Sequence, residues 1–135
     1  MRELQGRAKK ALEVDKDFDT YNSHVRNGYR MLRDSWEQLV EEHLFNGTVR
    51  RFQRPIQTLK LRAVRVDDAG AKAVYDGMTR VSNFVHEGGV EAPPALPQPR
   101  EFLGDIETLA TTYDSIAARN KVAEDERVAL GIPKK

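Results

Sequence analysis

Apolar residues recur every three or four positions from Asp17 to Phe45, which predicts a long amphipathic helix with one buried stripe. The stripe comprises Tyr21, Val25, Tyr29, Leu32, Trp36, Leu39, Val40 and Leu44. Gly28 lies inside this stretch. Because glycine costs about 1 kcal/mol against alanine in a helix interior, Gly28 predicts a kink or a close contact with another helix. The pair Asn46-Gly47 is a typical left-handed helix end, so the helix is expected to end there.

Two later stretches show the same helical period. Asp67 or Asp68 is predicted to cap a helix that ends at Gly88-Gly89. Its buried side is predicted to comprise Ala71, Val74, Tyr75, Met78, Val81 and Val85. Another helix is predicted to begin at Pro99, since proline suits the first helical position, and its apolar stripe ends near Asn120. That stripe comprises Phe102, Leu103, Ile106, Leu109, Tyr113, Ile116 and Ala117.

The remaining segments have weaker patterns. Residues 59–66 alternate apolar and basic side chains as a strand does, but no second run could pair with them, so an extended connector is expected over 48–66. Arg2 to Asp15 is a helix candidate, and residues 1–16 are expected to form a docking arm or the remnant of a longer helical segment of a larger parent protein. Val90 to Pro99 is expected to form a proline-rich surface linker, and residues 122–135 a frayed tail. Together these elements predict one all-α domain over 1–135. It is a small antiparallel bundle of about four helices, with two long helices as its frame.

Composition narrows the classes of function. The 135 residues suit a single domain, and the absence of cysteine excludes disulfides, thiolate metal sites and cysteine nucleophiles. A cytoplasmic location is expected because cysteine-free chains suit a reducing compartment, and no apolar run is long enough to predict a membrane span. The sequence lacks a phosphate-binding glycine loop, a dinucleotide-binding fingerprint and a helix-borne histidine pair at zinc spacing. We therefore expect neither a cofactor nor a metal, and the chain is not expected to hydrolyse ATP.

Charge is distributed unevenly although the net charge is only +1. From Asn46 to Val66 there is no acidic residue. The basic side chains of this stretch are Arg50, Arg51, Arg54, Lys60, Arg62 and Arg65. A local concentration of cations of this kind favours contact with the phosphates of a nucleic acid. A solvated connector is an equally good interpretation of the same charges.

A histidine near the end of the helix that Asp67 or Asp68 is predicted to cap is a candidate catalytic residue. His86 can accept and donate a proton at neutral pH, and Arg80, six residues earlier, could hold a phosphate with its forked donors. Asn83 between them could bind the phosphate or orient a catalytic group. On a straight helix Arg80 and His86 would not share a face, so the arrangement requires the helix to end before His86. The alternative is a histidine that is favourable at a helix end through the helix dipole alone.

An arginine–glutamate pair earlier in the sequence could assist His86 and Arg80 in catalysis. Arg33 and Glu37 are four residues apart on the first predicted helix and can therefore touch. As catalytic groups, Arg33 would bind the phosphate and Glu37 would orient His86. As surface groups, they would form an ion pair worth a few tenths of a kcal/mol. Trp36, between them, is expected in the core rather than as a platform for stacking bases.

These residues resemble known families. The element Arg80 to His86, at a helix end in a small helical domain, resembles the R-x(4–6)-H signature of HEPN domains, many of which are metal-independent endoribonucleases. Residues 29–52, which read YRMLRDSWEQLVEEHLFNGTVRRF, and residues 57–62, which read QTLKLR, are similar to the C-terminal part of RloC-like ATPases. Those ATPases resemble the PrrC anticodon nucleases. The resemblance covers about Tyr21 to Asn120.

The resemblance implies a function and a set of roles. In the anticodon nucleases an Arg-x3-Glu pair and a distant histidine are implicated in cleavage, and Arg33, Glu37 and His86 match that order, while Arg80 matches the HEPN arginine. It implies a tRNA-type RNA substrate, a role in anti-phage defence or as a toxin, and a homodimer in which two Arg–His motifs face one another. The relatives are regulated by an ATPase domain that these 135 residues do not include, so the expectation is a free nuclease, a partner of a separate ATPase, or one domain of a larger protein.

Two other classes of function remain open. One is a non-catalytic helical module that binds nucleic acid or an ABC-type ATPase partner. The other is an antitoxin-like partner of a second protein. The first predicts salt-dependent binding without a cleaved product, and the second predicts a tight protein complex without affinity for RNA.

Overall fold

The computed structural model describes residues 18–85 and 96–134, the side chains of residues 18–21 excepted. Within these ranges the chain forms three α-helices, a π-helical turn and a 3-10 helix, and no β-strand. The helices are α1 (Phe18–Leu39), which continues as the π-helical turn Val40–Leu44, the 3-10 helix Thr58–Ala63, α2 (Asp68–Ser82) and α3 (Pro99–Ala129). The predicted all-α class, a small bundle of about four helices, is confirmed.

The apolar stripe of α1 forms the centre of the core. The buried members are Val25, Tyr29, Leu32, Trp36, Leu39 and Leu44. Trp36 is only 1% exposed, so its predicted place in the core is confirmed. The helix ends at Asn46 and Gly47, which have φ angles of 51° and 66°, as the Asn-Gly pair predicted.

Two glycines let neighbouring helices approach α1 closely. A Cβ atom built on Gly28 would lie 2.4 Å from Cζ of Phe102 in α3, so the predicted close contact with another helix is confirmed. A Cβ atom on Gly77 of α2 would lie 2.2 Å from Cζ2 of Trp36, a contact that was not among the predictions from the sequence. At both places the absence of a side chain makes room for a buried aromatic ring.

The ends of α2 differ from each other in how well they were predicted. The N-cap is Asp67, whose Oδ1 accepts hydrogen bonds from the backbone N–H of Gly70 at 2.7 Å and from Nη1 of Arg119 at 2.9 Å. The helix stops at Ser82 rather than continuing toward Gly88-Gly89, which lie outside the described residues. Its last turn tightens, because Phe84 N–H bonds to Val81 O, and Phe84 packs on Tyr29 with ring centroids 4.7 Å apart.

The C-terminal part of the chain also differs from expectation. The frayed tail expected from residue 122 is instead helical as far as Ala129, and Ala123 is fully buried. The last turns of this helix donate hydrogen bonds to the connector over 48–66. Arg127 Nη1 donates to Leu61 O at 2.8 Å and to the carbonyl oxygen of Val64. The apolar stripe was predicted to end near Asn120, but the burial of Ala123 and these polar contacts both accompany the helix beyond it.

The connector over 48–66 was expected to be extended, but part of it is helical. Thr58–Ala63 forms a 3-10 helix, and Asn46 Nδ2 donates to Lys60 O at 2.8 Å. Backbone oxygens of this segment accept hydrogen bonds from Asn46 and Arg127 rather than from a neighbouring strand. The strand-like alternation is therefore not part of a β-sheet in the described residues. Residues 1–16, His86 and most of the linker from Val90 to Pro99 lie outside the described residues. None of the described helices has the length and apolarity that a membrane crossing needs.

Candidate functional site

Arg80 occupies the last turn of α2 and is held by a buried carboxylate. Its Nε donates to Asp105 Oδ1 of α3 at 2.5 Å, and the other carboxylate oxygen, Oδ2, accepts from Tyr29 Oη of α1 at 2.5 Å. Tyr29 is completely buried and Asp105 is 8% exposed. One residue from each α-helix therefore contributes to a chain of hydrogen bonds that fixes the guanidinium of Arg80.

The electrostatic environment of these hydrogen bonds keeps both Tyr29 and Arg80 protonated. Burial, followed by the hydrogen bond to Asp105, raises the pKa of the Tyr29 hydroxyl far above its usual range, so Tyr29 remains a donor. The hydrogen bond to Asp105 raises the pKa of Arg80, which stays charged. The Arg80 side chain is 45% exposed, and its Nη2 lies 3.9 Å from Glu101 Oε2. Its terminal N–H groups thus reach the surface while Nε is bound inside.

The helix that carries Arg80 ends at Ser82, before His86. The turn continues to Val85 through bonds of the 3-10 type, from Phe84 N–H to Val81 O and from Val85 N–H to Ser82 O. Asn83 is exposed in the turn that follows, and Val85 packs against the core. His86 follows Val85 and lies outside the described residues, so its predicted meeting with Arg80 stays a prediction.

Arg33 and Glu37 belong to a different cluster. Arg33 Nε lies 3.6 Å from Glu37 Oε1, and Glu37 Oε2 lies 2.9 Å from Nη1 of Arg51 in the connector. Arg51 also bonds to Glu41, through Nε to Oε2 at 2.9 Å and through its backbone N–H. These hydrogen bonds lower the pKa of Glu41 and raise that of Arg51. The pair therefore joins α1 to the connector.

The two clusters do not touch within the described part of the chain. Arg80 points toward Asp105 and Glu101 of α3, and no hydrogen bond or ion pair links it to Arg33 or Glu37 among the described residues. Their predicted cooperation in one site stays a prediction.

Most of the basic connector side chains are paired with carboxylates. Arg50 lies 3.8 Å from Glu42. Arg62 lies 3.8 Å from Glu124, and Arg65 lies 2.6 Å from Glu126. With Arg51 already engaged, only Arg54 and Lys60 of the six lack a carboxylate within 4 Å in the described residues. The basic side chains predicted to bind RNA are thus largely neutralised by carboxylates of the same protein.

The connector also exposes apolar side chains. We call Val49, Phe52 and Ile56 the connector apolar surface, since their exposed fractions are 56%, 104% and 62%. Phe52 has a φ of 65°, a left-handed conformation that is rare for a bulky residue. Three large apolar side chains are thus exposed within eight positions of one segment.

A pocket beside Arg80 was also missed. It has a volume of about 240 Å³ and lies between α2 and α3. Its lining includes Trp36, Ala73, Asp76, Gly77, Arg80, Asp105 and Thr108. The indole N–H of Trp36 is buried without a hydrogen-bond partner. Gly77 was the available signal in the sequence, because a glycine inside an amphipathic helix often marks a close approach.

Metal ligands are not clustered in the described ranges, where no group of three histidine or acidic side chains could hold an ion. No family model matches the chain, and neither a curated protein nor a solved structure matches it.

Proposed function

We propose that the chain is a metal-independent endoribonuclease that acts on RNA of the tRNA type, in anti-phage defence or as a toxin. The observation that carries the proposal is the anchored guanidinium of Arg80, fixed by Asp105 and Tyr29 with its terminal donors at the surface. A preoriented arginine of this kind suits the stabilisation of a phosphate that gains negative charge, because little reorganisation is needed at the moment of reaction.

In the proposed reaction the 2′-oxygen of a ribose attacks the adjacent phosphorus, and the bond from phosphorus to the 5′-oxygen breaks. His86 takes the proton of the 2′-hydroxyl, and a histidine returns a proton to the departing 5′-oxygen. The products are a 2′,3′-cyclic phosphate and a 5′-hydroxyl. In the homodimer that the resemblance implies, the His86 of each copy could serve one of the two proton transfers.

Roles for the other candidate residues follow the same scheme. Arg80 holds the phosphate, and Asn83, exposed three residues later, can donate to a phosphate oxygen. Arg33 and Glu37 support cleavage if the RNA spans both clusters, since they lie along α1 and the connector rather than beside Asp105. Arg54 and Lys60 are the connector cations best placed to meet the RNA backbone without first breaking an ion pair.

The test is cleavage of total tRNA in the presence of EDTA by the wild type, His86→Ala and the control His24→Ala. We expect discrete fragments with cyclic phosphate ends from the wild type and from His24→Ala. His86→Ala should lose activity by about 10²-fold or more, as is typical when a general acid–base group is removed. Equal cleavage by His86→Ala, with an unchanged circular dichroism spectrum and melting temperature, would contradict the proposed mechanism.

A second candidate function is favoured by the connector apolar surface together with the internal pairing of its cations. It is a non-catalytic module that contacts a protein, either a second copy of this chain or an ATPase or antitoxin partner. For the second copy the measurement is sedimentation of the wild type beside a Phe52→Ser, Ile56→Ser double variant. A wild-type mass of twice 15.4 kDa that falls to 15.4 kDa in the variant, with no cleavage of tRNA by the wild type, would support it. The control is Leu130→Ser, which removes an exposed apolar side chain just beyond α3. A dimer that survives in the double variant would exclude this surface as the interface.

A further inference from the structure

A groove with a volume of about 470 Å³ runs between α1 and α3. Its lining comes from these two helices and the π-helical turn, and no described side chain of α2 or of the connector belongs to it. Its floor is apolar and is formed by Leu39, Ile106 and Leu109. Gln38 and Ala110 of the lining are exposed, so the space is an open groove rather than an enclosed cavity.

The groove has a shape that a further helix would fill. On the α3 side its lining residues recur at helical spacing and form one face about two turns long, at positions 106, 109, 110, 113 and 114. At one end the rings of His43 and Tyr113 meet edge to face, with centroids 4.7 Å apart, and join the two helices. In a four-helix bundle, a face of this kind between two helices is covered by a neighbouring helix.

Acidic side chains border the groove on both sides. Asp114 belongs to its lining, and Glu107 lies seven residues earlier on α3, which places both on the same face of that helix. On α1, Asp34 and Glu42 lie one helical turn before and after Gln38, and Glu42 Oε2 accepts a hydrogen bond from Gln38 Nε2 at 3.2 Å. Both edges of the apolar floor therefore carry negative charge.

These acids are only partly neutralised by the described part of the chain. No lysine or arginine belongs to the lining, and Arg50 lies 3.8 Å from Glu42 at one end of one edge. Glu107 and Asp114 form no ion pair with another described residue. A ligand that covers the apolar floor is therefore favoured if it brings cations to both edges.

We propose that this groove binds an amphipathic helix of a partner protein, whose apolar stripe is flanked on both sides by lysine or arginine. Apolar side chains at i, i+4 and i+7 would pack on the floor, and the flanking cations would meet the acids of the edges. The inference goes beyond the proposed function and does not rest on it. The groove shares no lining residue with the pocket beside Arg80 or with the connector apolar surface.

The experiment titrates two fluorescently labelled peptides of about 15 residues with the intact chain and follows their anisotropy. Both peptides carry leucines at i, i+4, i+7 and i+11 on an alanine helix, and the residues beside the leucines are lysines in one and glutamates in the other. We expect the lysine peptide to bind at least about tenfold more tightly and to lose affinity as salt screens the charges. Equal affinities of the two peptides would overturn the proposal, as would no binding of the lysine peptide.

Two double variants test the charges of the groove edge. Glu107→Gln with Asp114→Asn removes two acids from the α3 edge and should weaken binding of the lysine peptide at least about threefold, as expected for the loss of two exposed ion pairs. The matched control is Asp76→Asn with Asp125→Asn, which changes the net charge equally but removes acids that pair with lysines outside the groove lining. Equal weakening by both double variants would show a response to net charge alone and would overturn the groove as the binding site.

A substitution at Ala110 tests the groove itself. Ala110→Gln places a longer, uncharged side chain on an exposed part of the lining and should weaken binding of the lysine peptide at least about tenfold. Ala118→Gln, exposed on the same helix but outside the lining, should bind as the wild type does. Wild-type affinity in Ala110→Gln would overturn the proposal. A wild-type dimer that dissociates in Ala110→Gln would assign the groove to a second copy of this chain and would also overturn a separate partner.

Discussion

Gly77 shows how one missing side chain shapes the interior. Gly77→Ala would place a methyl group 2.2 Å from the Trp36 ring, and since Trp36 is 1% exposed, the ring has little room to move. We expect a loss of about 1–3 kcal/mol in the free energy of unfolding, the usual cost of overpacking, measured by urea denaturation.

Gly104 provides the control for that substitution. It also lies inside a helix, but a Cβ there would meet nothing within 4 Å. Gly104→Ala should therefore stabilise the chain by about 0.4–1 kcal/mol, since alanine restricts the unfolded chain and favours the helix. Equal effects of the two substitutions would show that the contact between Gly77 and Trp36 does not govern packing.

Tyr29 gives the chain a dependence on alkaline pH. Burial, and then the hydrogen bond to Asp105, raise the pKa of its hydroxyl above the ordinary value of 10.0. The folded chain therefore holds this proton more tightly than the unfolded chain. The resulting stabilisation is complete below pH 10.0 and is lost as the pH rises above that value, at up to about 1.4 kcal/mol per pH unit.

The measurement is the free energy of unfolding above and below pH 10.0 for the wild type, Tyr29→Phe and the exposed control Tyr75→Phe. Tyr29→Phe should show a shallower decline at alkaline pH than the other two. It should also lose about 1.5–3 kcal/mol at neutral pH, where it removes a hydrogen bond to a charged group. Parallel declines in all three proteins would argue against a buried, protonated Tyr29.

Among the elements, the connector depends most on the C-terminal turns of α3. Arg127 donates to the carbonyl oxygens of Leu61, Arg62 and Val64. We expect Arg127→Ala to speed amide hydrogen exchange over residues 58–66, because charge-assisted bonds to the backbone are lost. The control is Lys121→Ala, which removes an exposed ion pair with Asp125 from the same helix. Unchanged exchange in Arg127→Ala would show that the 3-10 helix is stable without the Arg127 hydrogen bonds.

The sequence predicted the elements whose cause is local and missed those held by distant partners. The stripe of α1, the Asn46-Gly47 stop, the Asp67 cap and Pro99 at the start of α3 were each predicted correctly, because periodicity and capping act within a few residues. The 3-10 helix and the last turns of α3 were missed, since they rely on bonds such as that between Arg127 and Leu61, 66 positions apart.

The candidate site shows the same division. Arg80 could be singled out from its spacing to His86, but Asp105, which holds it, lies 25 positions away on another helix and carries no sequence signal of its role. The pairing of Arg62 and Arg65 with the acidic side of α3 was likewise invisible in a stretch that contains no acid. Charge counted along a segment therefore overstated the cations that are available to a ligand.

The state of these cations can be measured on the intact protein through the salt dependence of RNA binding. For single-stranded nucleic acid the slope of log K against log salt is about −0.7 per phosphate neutralised. If Arg54 and Lys60 alone contact phosphates, the connector contributes a slope of about −1.4, whereas all six cations would contribute about −4.2.

Two double variants that each remove two cations separate these cases. Arg54→Ala with Lys60→Ala should flatten the slope by about 1.4, because both side chains lack a carboxylate partner in the described residues. Arg51→Ala with Arg65→Ala should leave the slope nearly unchanged, since those side chains already neutralise Glu37, Glu41 and Glu126. Equal flattening by both would mean that the RNA displaces the carboxylates of the bundle, and the connector would then act as one basic surface.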